Sequence, residues 1–219
     1  MLLLTLLACD VELNNPLSEP HTDVDCETTA SLPDGQILAI GDSMFDFIGD
    51  CADAPDLTGV ALGARVTNES VGGATMLNND IPSQYRSADW RWVIIDGGGN
   101  DMECDAESAC TAILDEVEEA WRDLLDAVTD DGAQVALVGY PDFSPDSESG
   151  ELWALMGEEM MDRMSGVADD YEEVFFVDLR GVMSGEAQPE LFDEDLIHPS
   201  PAGAVVIADE IARVISTND

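Results

Sequence analysis

The sequence predicts an α/β domain of three layers, a central parallel sheet of five strands held between helices. Three observations point there. Apolar runs of strand length alternate along the chain with longer stretches of helical periodicity. Several of those runs are almost continuously apolar, as strands covered on both faces must be. At 219 residues, 45% hydrophobic and 25% charged, the chain can fill one complete core and has the composition of a globular protein.

The strands are predicted at QILAIG (36–41), ARVTNESV (64–71), WVIID (92–96), QVALVGY (134–140) and VFFVDL (174–179). Between the third and fourth, Ile113, Leu114, Val117, Trp121, Leu124, Leu125 and Val128 recur at i, i+3, i+4 and i+7, which predicts a helix over 106–129. DDGAQV then turns the chain into the fourth strand. A second helix is expected over 150–168. Its Met156, Met160 and Met164 form a soft stripe, flanked by Leu152, Trp153 and Leu155, that reads as core. The alternative is a wall or lid over a site. Trp90 and Trp92 flank the third strand as sheet packing. A last helix spans 202–216, with Ser200 as its cap and Pro201 as its first residue.

Charge narrows the partners. Asp and Glu number 48 against 7 basic residues, all arginine, for a formal net charge of -41. Such a surface repels phosphate backbones and anionic lipid headgroups, which argues against nucleic-acid binding. Its self-repulsion is relieved by salt. The acidic runs read as solvated faces, without the D-x-D-x-D-G spacing of a calcium loop. Only two histidines exist, His21 and His198, and there is no C-x-x-C, so a zinc site is not expected. The glycine run at 97–99 misses the dinucleotide spacing. No cofactor is expected.

The chain opens MLLLTLLACDVELNNPLSEPHTD. Its apolar run, small residue and Cys9 resemble the end of a bacterial lipoprotein signal, with Cys9 the lipidated residue and a membrane tether as the consequence. The run is short and lacks a preceding basic residue; a start upstream of Met1 supplies both. An apolar segment packed on the domain is the alternative. The expected organisation is a signal segment over 1–9, an acidic tether or arm over 10–34 and one domain over 35–219. Cys26, Cys51, Cys104 and Cys110 remain, an even number suited to an exported protein. Cys104 with Cys110 closes a small loop, and Cys26 with Cys51 staples the arm to the domain, but four cysteines allow three pairings.

In parallel sheets functional groups gather beyond the carboxyl ends of the strands. Four stretches sit there. Gly41-Asp42-Ser43 follows the first strand, and Ser43 reads either as a nucleophile or as a helix cap. Gly72 and Gly73 follow the second, where a glycine lets a backbone N–H approach a ligand closely. Asn100 follows the third, with an amide able to donate to an oxyanion. Asp195 and His198 lie three apart in a segment that Pro199 keeps out of a continuous helix, so a turn can join carboxylate to imidazole.

Together these stretches resemble the SGNH, or GDSL, hydrolases over most of residues 35–216. The blocks are Gly41-Asp42-Ser43, Ser70-Val71-Gly72-Gly73-Ala74-Thr75, Gly98-Gly99-Asn100-Asp101 and Asp195-Leu196-Ile197-His198-Pro199. The resemblance implies a flavodoxin-like fold and a serine esterase acting on small acyl esters, such as acetylated carbohydrates or short-chain and lipid esters. It implies Ser43 as nucleophile, His198 as base and acid, and Asp195 as its orienter. The oxyanion hole is then Ser43, Gly73 and Asn100, with Gly72 the alternative to Gly73. The chain departs from the family at Met44-Phe45-Asp46-Phe47, where small and polar residues are common; the two aromatics are expected to reshape the acyl site. An acyltransferase using the same residues, and a non-catalytic carbohydrate-binding or surface lipoprotein on the same fold, are the rival readings.

Overall fold

The computed structural model describes residues 26–219 except 50, 105, 148 and 149. The predicted signal segment, Cys9, His21 and the first part of the arm therefore lie outside the described residues.

Strand β1 (Asp34–Ile40) is the centre of assembly. It pairs in parallel with β2 (Arg65–Asn68) on one side and with β3 (Trp92–Ile95) on the other. β4 (Gln134–Val138) and β5 (Val174–Val177) extend the sheet, giving the order β2-β1-β3-β4-β5 with every pair parallel. Ile37, Leu38, Ala39 and Ile40 are buried, as are all four residues of β3, because helices cover both faces. The order reverses direction between β1 and β3. That reversal opens a crevice beyond their carboxyl ends.

Right-handed crossovers put the helices on opposite faces as the order runs one way and then the other. α2 (Ala54–Leu62), which links β1 to β2, packs on α5 (Pro201–Asn218). α3 (Glu107–Asp130) packs on α4 (Gly150–Asp169). The α3 stripe is buried at Leu114, Val117, Trp121, Leu124, Leu125 and Val128, joined by Cys110. Ile113 only packs against its margin. Met156, Met160, Met161 and Met164 of α4 are core, as the soft stripe predicts. Trp92 is buried, while Trp90 stays half-buried with its indole N–H on the Arg86 carbonyl. Ser200 accepts from the Gly203 N–H and Pro201 opens α5.

Two helices lack a periodic signal. α1 (Cys26–Ser31) lies within the stretch read as an arm, and a disulfide joins Cys26 to Cys51. The other disulfide is Cys104–Cys110. α2 is short and carries Pro55 and Gly59. Its markers are boundary residues: Asp53 before it, Pro55 in its first turn, and Gly63 after it in a left-handed conformation (φ 66°). Among the described residues no helix is long and apolar enough to cross a membrane.

All seven arginines lie within 4.0 Å of a carboxylate, from Arg65 with Asp34 to Arg213 with Glu210. Every pair keeps at least one partner partly open to solvent, so each stabilises little. Their effect is local relief in a field of carboxylates.

Candidate active site

The crevice at the β1–β3 reversal receives Ser43 from the end of β1 and Asn100 from the end of β3. The turn before α5 supplies His198. The Ser43 hydroxyl lies 2.9 Å from His198 Nε2, and His198 Nδ1 lies 2.6 Å from Asp195 Oδ2. With the ring proton on Nδ1, the hydroxyl donates to Nε2 and Nδ1–H donates to the carboxylate. The other Asp195 oxygen accepts the backbone N–H groups of Ile197 (2.9 Å) and His198 (3.0 Å). Leu196 turns left-handed at φ 59° to close the loop. Burial pushes the Asp195 carboxyl up, but the His198 ring and these two N–H donors outweigh it and hold it below the usual carboxylate range. The anion that faces the imidazole is thereby kept ionised.

Ser43 caps no helix. The chain after it forms a turn in which the Phe45 N–H donates to the Asp42 carbonyl, and α2 begins only at Ala54. The helix-cap reading of Ser43 is thus corrected.

The glycine loop after β2 passes beside the serine: a Cβ on Gly72 would lie 3.8 Å from the Ser43 Cβ. Gly73 is left-handed, φ 76°, a conformation glycine adopts without strain. Neither its N–H nor that of Ser43 has an acceptor among the described residues. The Gly72 N–H, in contrast, donates to Asp46 Oδ2 at 2.9 Å. That leaves Gly73, of the two glycines, with the free donor. The Asn100 amide spends one hydrogen on the Ala74 carbonyl (3.0 Å), which orients the group and leaves the other hydrogen for a ligand. Asp101 ties the two loops together by accepting from Met76 (2.8 Å) and Leu77 (2.9 Å). Burial raises its pKa despite those donors.

Beneath the serine lies a polar floor that the sequence did not announce. Asp42 and Asp96 are each only 2% exposed. Asp42 accepts the Met44 N–H (3.0 Å) and the Tyr140 hydroxyl (2.7 Å), while Tyr140 accepts the Gly99 N–H (2.9 Å). Asp96 Oδ1 accepts the Asp42 N–H at 2.9 Å. Burial, and then the neighbouring Asp42, push Asp96 well above the usual range; burial also raises Asp42. Of the two carboxyls, Asp96 is the one pushed harder toward its protonated form. Asp96 Oδ2 is buried without a hydrogen-bond partner among the described residues, which adds to the cost of ionising this carboxyl. Gly41 is pinned above this floor by Gln84, whose amide accepts its N–H (2.7 Å) and donates to its carbonyl (2.9 Å). A Cβ on Gly41 would sit 1.5 Å from Asp96 Oδ1. No side chain fits there.

The two aromatics of Met44-Phe45-Asp46-Phe47 part company. Phe45 is fully buried in the core, so it does not shape the site as expected. Phe47 is half-exposed and its ring stacks on His198, with centroids 4.0 Å apart and planes 4° from parallel. Sequence reading located the departure but not the contact, since stacking across about 150 residues leaves no local pattern. A cavity of about 170 Å³ opens over Ser43, with Met44, Phe143, Leu152, Trp153 and Ile197 as its apolar walls. Leu152 and Trp153 of α4 thus reach the site, while the methionines behind them are core. Among the described residues no cluster of His, Cys, Asp and Glu forms a metal site.

A family profile described as "GDSL-like Lipase/Acylhydrolase family" matches residues 39–206. No curated protein sequence matches the chain. Three solved structures share the fold at low identity. A catalytic mutant of an acetylxylan esterase from Geobacillus stearothermophilus is 20% identical, covers 84% of this chain and 95% of its own, and has a TM-score of 0.64. A carbohydrate esterase family 2 enzyme with a carbohydrate-binding domain, from Corynascus thermopiles, is 16% identical over 85% and 67%, with a TM-score of 0.65. An alpha/beta hydrolase enzyme from the metagenome of Lake Arreo, Spain, is 19% identical over 86% and 98%, with a TM-score of 0.62.

Proposed function

Because the chain belongs to the GDSL-like lipase/acylhydrolase family, we propose that it is a serine esterase that cleaves small acyl esters through an acyl-enzyme on Ser43. The observation that carries this reading is the relay from Ser43 Oγ through His198 to Asp195, at 2.9 and 2.6 Å, with unspent N–H donors beside the serine.

In the first half-reaction Ser43 Oγ attacks the ester carbonyl while His198 Nε2 takes its proton. Asp195 stabilises the imidazolium. The oxyanion accepts the Ser43 and Gly73 N–H groups and the Asn100 amide. Collapse breaks the acyl–oxygen bond, and His198 returns the proton to the departing alcohol. In the second half-reaction a water attacks the acyl carbon and gives a proton to His198; the Ser43 Oγ–acyl bond then breaks, His198 returns the proton to Oγ, and the carboxylic acid departs. No cofactor enters.

The cavity of about 170 Å³ is small and mostly apolar-walled, which favours a short acyl group such as acetyl. Across the Phe143–Trp153 pair opens a wider cavity of about 440 Å³ bordered by Asp142, Glu158 and Arg180. Its aromatic and hydrogen-bonding rim suits a polyhydroxylated alcohol, so an acetylated carbohydrate is the favoured substrate class. The similarity in fold to two carbohydrate esterases is in keeping with this choice. The two disulfides support an oxidising, exported location, and lipidation at Cys9 remains the proposed anchor.

The test is hydrolysis of p-nitrophenyl acetate and of longer p-nitrophenyl esters, in salt, by wild type, Ser43→Ala and His198→Ala. The reading predicts acetate as the best substrate and near-background rates for both variants. Equal rates for wild type and Ser43→Ala would contradict it.

A further inference from the structure

Phe47 is 41% exposed, so its ring is not placed there to fill the core. Its turn is nevertheless fixed firmly. Asp53, itself buried, accepts three successive backbone N–H groups on one oxygen, from Phe47 (3.2 Å), Ile48 (2.9 Å) and Gly49 (3.2 Å). That use of the carboxylate is why Asp53, although it stands at the α2 N-cap, makes no side-chain cap bond. On the other flank the Asn68 amide donates to the Phe45 carbonyl (3.0 Å), and the Gly72 N–H donates to Asp46. Just beyond, Cys51 is bonded to Cys26. An exposed aromatic side chain on so constrained a turn, lying flat on the imidazole at 4.0 Å, has the geometry of a support.

The need for a support arises midway through the reaction. Before acylation the imidazole is held at both nitrogens, by Asp195 at Nδ1 and by the Ser43 hydroxyl at Nε2. Once Ser43 Oγ carries the acyl group it has no proton to donate, and the Nε2 anchor is lost. A ring held only at Nδ1 can tilt about that bond, whereas deacylation needs Nε2 aimed at the attacking water. Small errors of aim are costly in such steps. We propose that Phe47 is a positioning residue for the general base: stacked on His198, it keeps the imidazole plane fixed through the acyl-enzyme stage. The proposal rests on the reading of Ser43 and His198 given above.

The test compares Phe47→Ala, Phe47→Leu and Phe47→Tyr with wild type, with His198→Ala as a control, on p-nitrophenyl acetate. Steady-state and pre-steady-state rates are measured, and circular dichroism checks folding. Tyrosine restores a flat ring, whereas leucine restores apolar bulk alone. The expected result is a fall in kcat on the order of 10-fold for Ala and Leu, with kcat/KM falling less and acyl-enzyme accumulating as a burst, and near-wild-type rates for Tyr. A packing or access role does not separate Leu from Tyr, nor kcat from kcat/KM. Wild-type kcat in Phe47→Leu, or equal losses in Leu and Tyr, overturns the inference while an inactive His198→Ala leaves the esterase reading standing. An active His198→Ala overturns that reading itself. If Phe47→Ala does not fold, the Leu–Tyr contrast carries the result.

Discussion

The two halves of the site are built in opposite ways. The half that holds the proposed base, Asp195 to His198, is a single short turn whose carboxylate binds the imidazole and two N–H groups within three residues of itself. The half that holds the proposed nucleophile is assembled from the ends of β1, β3 and β4 and rests on buried groups far apart in sequence: Asp42, Gln84, Asp96 and Tyr140. The difference teaches where stability and activity separate. A local, half-exposed turn can lose its chemistry without unfolding the domain. The floor under Ser43 cannot be altered so freely, because its polar groups are dry and depend on one another for their hydrogen bonds.

The largest contrast is expected at Asp195. Asp195→Asn should cut kcat for p-nitrophenyl acetate by about 10⁴-fold, by removing the anion that orients and stabilises the imidazolium, with a nearly unchanged melting temperature. A large loss of stability in that variant would erase the distinction between the halves. Asn100→Ala comes next, with a loss of about 10²–10³ in kcat as one oxyanion donor is removed. Unchanged turnover there would remove Asn100 from the site. Gly41→Ala reverses the pattern: its new methyl group collides with Asp96, and denaturant unfolding should show a loss of about 3 kcal/mol or more. Wild-type stability in this variant would mean that the floor yields easily.

The subtlest contrast is one of sign. Asp195 titrates below the usual carboxylate range, so the stability it gives is present above that range and is lost as pH falls through its lowered value. Asp42 and Asp96 are raised, so their contribution is full below the usual range and is lost as pH rises through their higher values. Asp96→Asn keeps an acceptor for the Asp42 N–H and a donor toward the Asp42 carboxylate, but it cannot titrate. From about pH 4 toward neutrality the wild type should therefore lose more stability than Asp96→Asn. Parallel curves in urea titrations at several pH values would place no proton on Asp96.

The same division governs what the sequence makes legible. β1, β3 and β4 with α3, α4 and α5 announce themselves because each buries a periodic or continuous apolar face, whereas the edge strand β2 buries only Val66; the Asp195–His198 turn is legible because its residues are neighbours. Ser43, Gly73 and Asn100 can be read once strand ends are known, since the fold gathers those ends. The choice between Gly72 and Gly73 has no local signal, because what favours Gly73 is Asp46 taking the Gly72 N–H from 26 residues away. Asp96 looks like an ordinary strand-end acid, and Gln84 sits in a loop without pattern. Their roles arise from burial against partners 40 to 100 residues distant, which no local period encodes. α2 escapes for another reason: its signal lies in its boundary residues, not in its face.

The most direct test of the account is to trap the acyl-accepting atom. A fluorophosphonate, incubated with wild type, Ser43→Ala and His198→Ala and followed by peptide mass spectrometry, forms a stable phosphonyl adduct with an activated serine. The account predicts one adduct, on Ser43, abolished in Ser43→Ala and strongly slowed in His198→Ala. Labelling of another residue in the wild type, or undiminished labelling of Ser43 without His198, would contradict it.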